Sequence, residues 1–576
     1  MSHIRKLTAF ALQLALVASL TAGFASANNG GREQIKAEEM KEWLTYFASD
    51  EFEGRATFTE GLGLAAGYLA AQLKAFGVRP GGPNGSYFQR VAVQGVKSDN
   101  RSTVTVEVNG QTRTFKNREG INFLPNVGAK RSFTTEQIEF VGYGLVAPAV
   151  NHNDYAGRDI KGKVAVWLGS AGPKTLEGRQ YRRLLTSRAR TAIEEQKALA
   201  GIGPVFSFRG GAGANAGGGR GEGSPAQTGS GSQSEVDFNT AQRLDNPIPP
   251  AVTAQDEFLE FLFSGSDVKY AELKAKAQTG EPLSGFTLKN ARITFNLDAS
   301  YRVTRTQYTR NVIGVVEGSD PRLKDSYVAY GAHYDHVGYA EGEVVEANGV
   351  ARRSGARGVV TAGAVEDRVW NGADDDGSGS IAMLAIARAF AQGPKPRRSM
   401  IFVWHAGEER GLWGSRHFVD YPTVPLDKIV AEINMDMVGR DRNNDPKESN
   451  TLYAVGSDRI STEFHNITVD ANQALSRPLQ ISYEMNDPSD TEQIYYRSDH
   501  YSYAAKGIPI IFLTTGLHPD YHANTDSADK INYEKMARIG QYAYEIGMRV
   551  GNLANAPARD NRGPRAGRDA TGKLKM

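Results

Sequence analysis

Five separated stretches of the chain are rich in histidine and carboxylate. They are His333-Tyr334-Asp335-His336, Asp374-Asp375-Asp376, Glu408-Glu409, Asp436 and His518-Pro519-Asp520-Tyr521-His522. The chain has no cysteine, so its metal-binding atoms are imidazole nitrogen and carboxylate oxygen. A nitrogen and oxygen set without thiolate suits a catalytic divalent site, with zinc the commonest occupant. Taken singly, each piece has a plainer explanation. A lone His-x-Asp is more often a surface hydrogen bond, a triple aspartate a capped turn before a helix, and Glu-Glu a solvated loop. The combination of five such stretches in one chain points to chemistry.

Four of the five follow short apolar runs of buried-strand type. Tyr327 to Ala332 leads into His333, and Met400 to His405 leads to the paired glutamates. Val430 to Met435 ends at Asp436, and Ile508 to Thr514 precedes the last cluster. The triple aspartate lies just before a predicted helix, Ser378 to Phe390, with Ile381, Leu384, Ala385 and Ala389 on one face. From about Asn311 onward this alternation predicts an α/β domain, with a mainly parallel sheet covered on both sides. Ligands of such sheets bind beyond the carboxyl ends of the strands, so all five stretches could converge on one edge.

The 576 residues exceed what one compact core accommodates, so two or more domains are expected. With 67 basic and 65 acidic residues there is no nucleic-acid footprint. His3, Arg5 and Lys6 precede an apolar run, Leu7 to Leu20, closed by Ala25-Ser26-Ala27. That layout predicts a secretory signal cleaved after Ala27 and a secreted or periplasmic protein. No later apolar run reaches 18 residues, so no stable membrane insertion is expected. Helices are predicted at Ile35 to Phe47, Gly61 to Phe76, Arg179 to Leu199 and Tyr533 to Leu553, and a strand at Val104 to Val108. Arg209 to Glu235, almost all Gly, Ser, Ala, Asn and Gln, cannot bury enough apolar area and reads as a flexible loop. Glu341 to Arg368 is long and carries few structural signals, the kind of loop that often covers a site. A serine hydrolase is disfavoured because G-x-S-x-G does not occur.

The ligand stretches, in their order, resemble the M28 family of metallopeptidases, the co-catalytic zinc aminopeptidases and glutamate carboxypeptidases. The resemblance extends to Ser49-Asp50-Glu51-Phe52-Glu53-Gly54-Arg55. It implies a zinc exopeptidase fold, α/β, with a mixed and mainly parallel sheet flanked by helices and an inserted β-rich protease-associated domain. The implied divisions are a signal peptide at 1–27, an N-terminal part of the peptidase domain at 28–136, and the insertion at 137–297, holding the 209–235 loop. The catalytic domain follows at 298–555, then a disordered basic tail at 556–576.

Carried onto this sequence, the resemblance makes His333 and Asp436 ligands of one metal ion and Glu409 and His522 ligands of another, with Asp375 bridging both. Asp375 is preferred to its neighbours because it stands three residues before Ser378 in a D-x-x-S-G pattern. The peptide between Asp375 and Asp376 is expected to be cis. Glu408 would be the general base, and Asp335 would accept a hydrogen bond from His333. Tyr521 would steady an oxyanion, while His336, His405, His500 and His518 have no assigned metal role and would be structural or would support the ligands. Two divalent ions, zinc foremost, would provide a water of lowered pKa. A carboxylate beside the metals can move that water's proton, whereas a ligand carboxylate could not do so freely. Glu408 and Glu409 therefore need different roles, which an extended backbone would permit by pointing them opposite ways. The implied substrates are peptide chain ends or short peptides, and the implied activity is aminopeptidase, with a glutamate carboxypeptidase-like activity as the alternative. A non-catalytic, receptor-like binding protein and a single-zinc acyl transferase are both disfavoured by the complete ligand set.

Overall fold

The computed structural model describes residues 30–176, 181–204, 236–347, 349–563 and 571–574. The predicted signal peptide and the 209–235 loop lie outside the described residues. The chain forms two units. One runs up to Val91, then through Thr309–Tyr483, then onward from Ser498; the other comprises Ala92–Tyr308 and Glu484–Arg497.

The sheet of the first unit is built from β1 (Ala299–Val316, entering this unit at Thr309), β2 (Tyr327–His333), β3 (Ser399–His405), β4 (Ile429–Met435), β5 (Thr451–Val455), β6 (Gln480–Ser482) and β7 (Ile510–Thr514). Their order is β1-β3-β2-β4-β7-β5-β6. The four central strands β3, β2, β4 and β7 run parallel, while β1 and β5 are antiparallel to their inner neighbours. The mixed, mainly parallel sheet read from the sequence is the one observed. Every residue of β3 and β4 is buried. Such uninterrupted burial requires layers on both faces, which is why these strands read as continuous apolar runs.

Alternation along the strands decides what each face receives. Val328, Tyr330 and Ala332 of β2 and Met400, Phe402 and Trp404 of β3 join one core. That core also holds α1 (Ala37–Phe47), α2 (Glu60–Ala75), α3 (Gly379–Gln392), α5 (Thr462–Gln473) and α7 (Tyr533–Asn552). The Tyr330 hydroxyl donates to the Ala543 carbonyl of α7 at 2.9 Å. His405, on the opposite face, has Nε2 3.0 Å from the Tyr503 hydroxyl. Tyr503 lies in α6 (His500–Ala505), and its ring centroid is 5.8 Å from that of Phe418 in α4 (Trp413–Asp420).

The second unit contains, among the described residues, a ten-stranded sheet. It begins well before the predicted boundary at 137. Strand Thr103–Val108 pairs antiparallel with Ala291–Leu297, in a register that sets Val104 opposite Phe295 and Val106 opposite Ile293. Residues 92–136, assigned from sequence to the peptidase domain, therefore belong here. Glu484–Arg497 returns to the same unit, where the Ala149 amide donates to Ser489 Oγ at 3.3 Å. The helix predicted over Arg179 to Leu199 is broken into the short pieces Arg182–Thr186, Arg188–Arg190 and Thr191–Glu195.

The described part of the C-terminal tail corrects the expectation of disorder. The Asn466 side chain of α5 donates to the Leu574 carbonyl and accepts from its amide, both at 2.8 Å, and Leu574 is buried. The Thr462 amide donates to Asp560 at 3.2 Å. Arginines and prolines gave this stretch a disordered composition, yet its described residues include these contacts.

Glu432, in the middle of β4, is fully buried, and neither carboxylate oxygen has a hydrogen-bond partner among the described residues. Burial, helped by the charge of Asp499, pushes its carboxyl well above the usual range. The folded state then holds the proton that the unfolded state releases near pH 4.3, so stability is lost as pH rises above that value. Glu432→Gln removes this loss. The stability of the Gln variant relative to wild type is expected to rise by up to about 1.4 kcal/mol per pH unit above that point. Urea unfolding across pH 4 to 8 measures it, and parallel curves for the two proteins would refute it.

Candidate metal centre

The candidate ligand residues are brought together by segments that leave the central strands at their carboxyl ends. His333 ends β2. Its Nδ1 is 3.0 Å from the Asp335 carbonyl, which fixes the ring and leaves Nε2 facing Asp375 Oδ1 at 3.2 Å and Asp436 Oδ2 at 3.6 Å. Asp436 follows β4, and Asp375 sits in the tight turn Ala373–Ser378 that feeds α3. The Asp375–Asp376 peptide is cis, as expected.

Asp375 turns its other oxygen, Oδ2, to a second group. His522 Nε2 lies 3.1 Å from that oxygen and 3.1 Å from Glu409 Oε1. His336, assigned from sequence to a structural role, is in this group too, with Nδ1 3.0 Å from Glu409 Oε1 and 3.8 Å from Asp375 Oδ2. His333, Asp375 and Asp436 each offer a donor atom within 4.8 Å of the others, as do His336, Asp375 and Glu409. The sequence signal for His336 was its position, three residues past His333 at a strand end.

The hydrogen bond expected between His333 and Asp335 falls on the backbone of Asp335. His333 engages its backbone carbonyl, while the carboxylate is 3.9 Å from the ring nitrogen. That carboxylate instead accepts from the amides of Gly407 and Glu408, at 2.7 and 3.1 Å, and from the Thr57 hydroxyl at 2.9 Å. Asp335 thus holds the backbone that carries the two glutamates. Those glutamates do not lie on an extended segment. They begin a 3-10 turn, Glu408–Arg410, after Gly407 in the left-handed conformation, and the turn separates their side chains. Tyr521 stacks on His522, with ring centroids 4.0 Å apart.

Residues outside the ligand set fix the loops. Arg55, fully buried, donates to the carbonyls of Tyr334 at 3.0 Å, Phe47 at 3.0 Å, Asn371 at 2.6 Å and Gly372 at 2.8 Å. It joins the His333 and Asp375 loops, giving the Ser49–Arg55 motif a physical task. The Glu341–Arg368 stretch contains the hairpin Val344–Ala347 and Val350–Arg353. Its later part braces the second group: the Val359 amide donates to the His522 carbonyl at 2.7 Å, and Arg357 Nη2 to the Glu409 carbonyl at 2.8 Å.

The electrostatics separate the neighbouring glutamates. Burial pushes the Glu408 carboxyl well above its usual range. Burial also raises that of Glu409, but the facing His522 overcomes it and holds Glu409 well below. Asp375 is likewise held low against burial by His333 and His522. Among the described residues, Asp375 Oδ2, Glu409 Oε1 and both His336 ring nitrogens are buried without a hydrogen-bond partner. Buried polar atoms are seldom left so, and convergent unpartnered nitrogen and oxygen donors fit a divalent cation such as zinc.

Residues 311–546 match the model of Peptidase family M28. The match is to that segment and not to the chain as a whole. Residues 311–546 contain all five candidate ligand stretches and the framework from β2 to Ile546 within α7. A probable leucine aminopeptidase of Arthroderma benhamiae is 29% identical over 188 residues, which are 30% of this chain and 48% of that protein. An aminopeptidase of Pseudomonas aeruginosa is 31% identical over 169 residues, 29% of this chain and 30% of its own. The chain thus spans about half the length of the fungal relative. The solved aminopeptidase of Aneurinibacillus sp. strain AM-1 aligns over 94% of this chain and 100% of its own, with 18% identity and a TM-score of 0.43.

The acceptor role of Asp335 is testable in the M28 segment. Asp335→Ala strips acceptors from two amides and a hydroxyl, and is expected to cost about 3 kcal/mol or more, at roughly 1–3 kcal/mol for each buried group left unpaired. Asp335→Asn keeps an oxygen for the amides and is expected to cost less than half of that. Urea unfolding of the two variants measures the difference, and equal losses would exclude the role.

Proposed function

We propose that the protein is a two-metal aminopeptidase that removes residues from the amino end of peptides. The observation that carries this reading is the division of Asp375, whose two oxygens face separate histidine-carboxylate groups, while Glu408 belongs to neither group and feels the charges of His333, Asp436 and Glu409. His333, Asp375 and Asp436 would hold one divalent ion and Asp375, Glu409 and His522 the other, zinc by the donor set, supplying an activated water and a polarised scissile carbonyl.

Glu408 accepts the proton of the attacking water and returns it to the leaving amine. Its half-buried position, on a turn pinned by Asp335, keeps the carboxylate off the ligand set and free to change protonation state. Tyr521 is proposed to donate its hydroxyl to the oxyanion of the tetrahedral intermediate. Its stacking on His522 holds the ring beside the second group.

The choice of the amino end draws on the relatives, which are named as leucine aminopeptidases and an aminopeptidase. The second unit is proposed to be the protease-associated insertion of larger family members, bounded by Ala92 rather than Gln137. Export through a signal cleaved after Ala27 is part of the same proposal. No helix among the described residues is long and apolar enough to cross a membrane.

The test is an assay of chelated protein, with and without added zinc, on paired peptides with free and acetylated amino ends. Zinc-dependent cleavage of the free-amine peptide alone is expected. Glu408→Gln is expected to bind zinc normally and to lose 100-fold or more in kcat, the scale of a general base. Cleavage of both peptides from the carboxyl end would replace this reading with a carboxypeptidase, and absence of turnover with zinc bound would refute it.

A further inference from the structure

We infer that His336 is a fourth protein ligand at the second metal position, alongside Asp375, Glu409 and His522. The inference rests on the two-metal reading above and adds a donor that the resemblance to the family did not supply.

His336 is 2% exposed, and both of its ring nitrogens lack hydrogen-bond partners among the described residues. An imidazole kept only for packing would be expected to pair at least one of them, since a buried polar group left alone costs about 1–3 kcal/mol. Nδ1 is 3.0 Å from Glu409 Oε1, a hydrogen-bonding distance, yet no hydrogen bond of acceptable direction joins them. Glu409 Oε1 and Asp375 Oδ2 are unpartnered as well. Three donors at close range, aimed at one another's vicinity without pairing, fit a shared cation better than a hydrogen-bond network.

The spacings agree. Ligands about 2.0–2.1 Å from one zinc ion stand roughly 3.3 Å apart in a tetrahedron and at most about 4.2 Å apart in any geometry. The separations are 3.0 Å from His336 to Glu409, 3.8 Å from His336 to Asp375, and 3.1 Å from His522 to each carboxylate. The position of the ring is also firmly set. The His336 amide donates to the Arg55 carbonyl at 3.0 Å, and the Arg55 side chain holds Tyr334, Asn371 and Gly372 around it.

The two positions then differ in kind. His333, Asp436 and Asp375 provide three protein donors, the number that leaves a catalytic site one place for water or substrate. Adding His336 gives the other position four, so its ion would be more firmly retained and would take water or substrate only as a fifth ligand, and a second imidazole favours zinc, cobalt or nickel over magnesium. The second position is therefore the tighter of the two.

Zinc titration by calorimetry tests this on the full mature chain. Wild type is expected to bind two equivalents in two classes. His336→Ala should weaken the tighter class at least tenfold and leave the other unchanged. In the cobalt(II)-loaded wild type, proton NMR should show three shifted imidazole N–H signals, from His333, His336 and His522. Unchanged affinities in His336→Ala, or two imidazole signals, would overturn the assignment while leaving the two-metal reading intact. Binding of fewer than two equivalents by wild type would overturn that reading and the assignment with it. Should His336→Ala fail to fold, the imidazole count in wild type decides alone.

Discussion

Buried negative charge is the constraint on which the organisation of the M28 segment depends. Asp335, Asp374, Asp375, Asp376 and Asp526 are each at most 3% exposed, and Asp436 and Glu409 stand among them. Carboxylates removed from water repel one another and lose hydration, and a protein tolerates them only if each is paired, hydrogen-bonded or protonated. All three solutions are in use. His333 and His522 face Asp375, and His518 Nε2 lies 3.2 Å from Asp374. Burial and the charge of Asp436 push the Asp376 carboxyl well above its usual range, and burial with Asp374 brings Asp526 to about 6. Divalent cations would complete the compensation at both groups, and in the second Asp375 Oδ2, Glu409 Oε1 and the His336 nitrogens have no hydrogen-bond partner among the described residues.

The third solution, hydrogen bonding to main-chain amides, also builds the site. Asp376 accepts from the amides of His333, Gly379 and Met437, tying the end of β2, the start of α3 and the segment after β4 to one side chain. Asp526 accepts from the amides of Asp374 and Asp375, and Asp335 from those of Gly407 and Glu408. Next to a candidate ligand there is thus repeatedly a carboxylate that holds backbone: Asp376 beside Asp375, Asp335 between His333 and His336, and Asp526 shortly after His522. Acidic residues recur in pairs and triplets here because one member faces the centre while its neighbour anchors a loop.

That division explains what could be read from sequence. The strands of the first unit were legible because burial on both faces leaves an uninterrupted apolar run, and the ligand stretches were legible because they end those runs. The direction of a side chain at a chain reversal was not legible, since it depends on local dihedral angles and distant partners. Asp335 was expected to accept a hydrogen bond from His333, and which of its oxygens does so, the backbone carbonyl, was not readable. Glu408 and Glu409 were expected to diverge on an extended strand and do so on a turn. His336 looked like one more structural histidine because nothing in His-Tyr-Asp-His reveals which ring faces the carboxylates. The early start of the second unit was hidden for another reason: the partner of Thr103–Val108 lies far along the chain at Ala291–Leu297.

The same logic accounts for the density of supports around one short turn. Asp375 serves both groups, so a shift of the turn Ala373–Ser378 would disturb two sets of distances at once, and its position has to be over-determined. Arg55 holds the carbonyls of Asn371 and Gly372 from one side. The Asp526 carboxylate takes the amides of Asp374 and Asp375 from another, and the Gly439 amide donates to Asp374 Oδ1 at 2.7 Å. Ser378 closes the turn, with Oγ donating to the Asp374 carbonyl and accepting from the Val438 amide, both at 2.8 Å. A single shared carboxylate is an economical way to bring two cationic centres together, but it transfers the demand for accuracy to the backbone beneath it. Arg55, Asp526 and Ser378, none of them facing the donor atoms, meet that demand, and they join the N-terminal motif, the last ligand loop and the helix start into one rigid support.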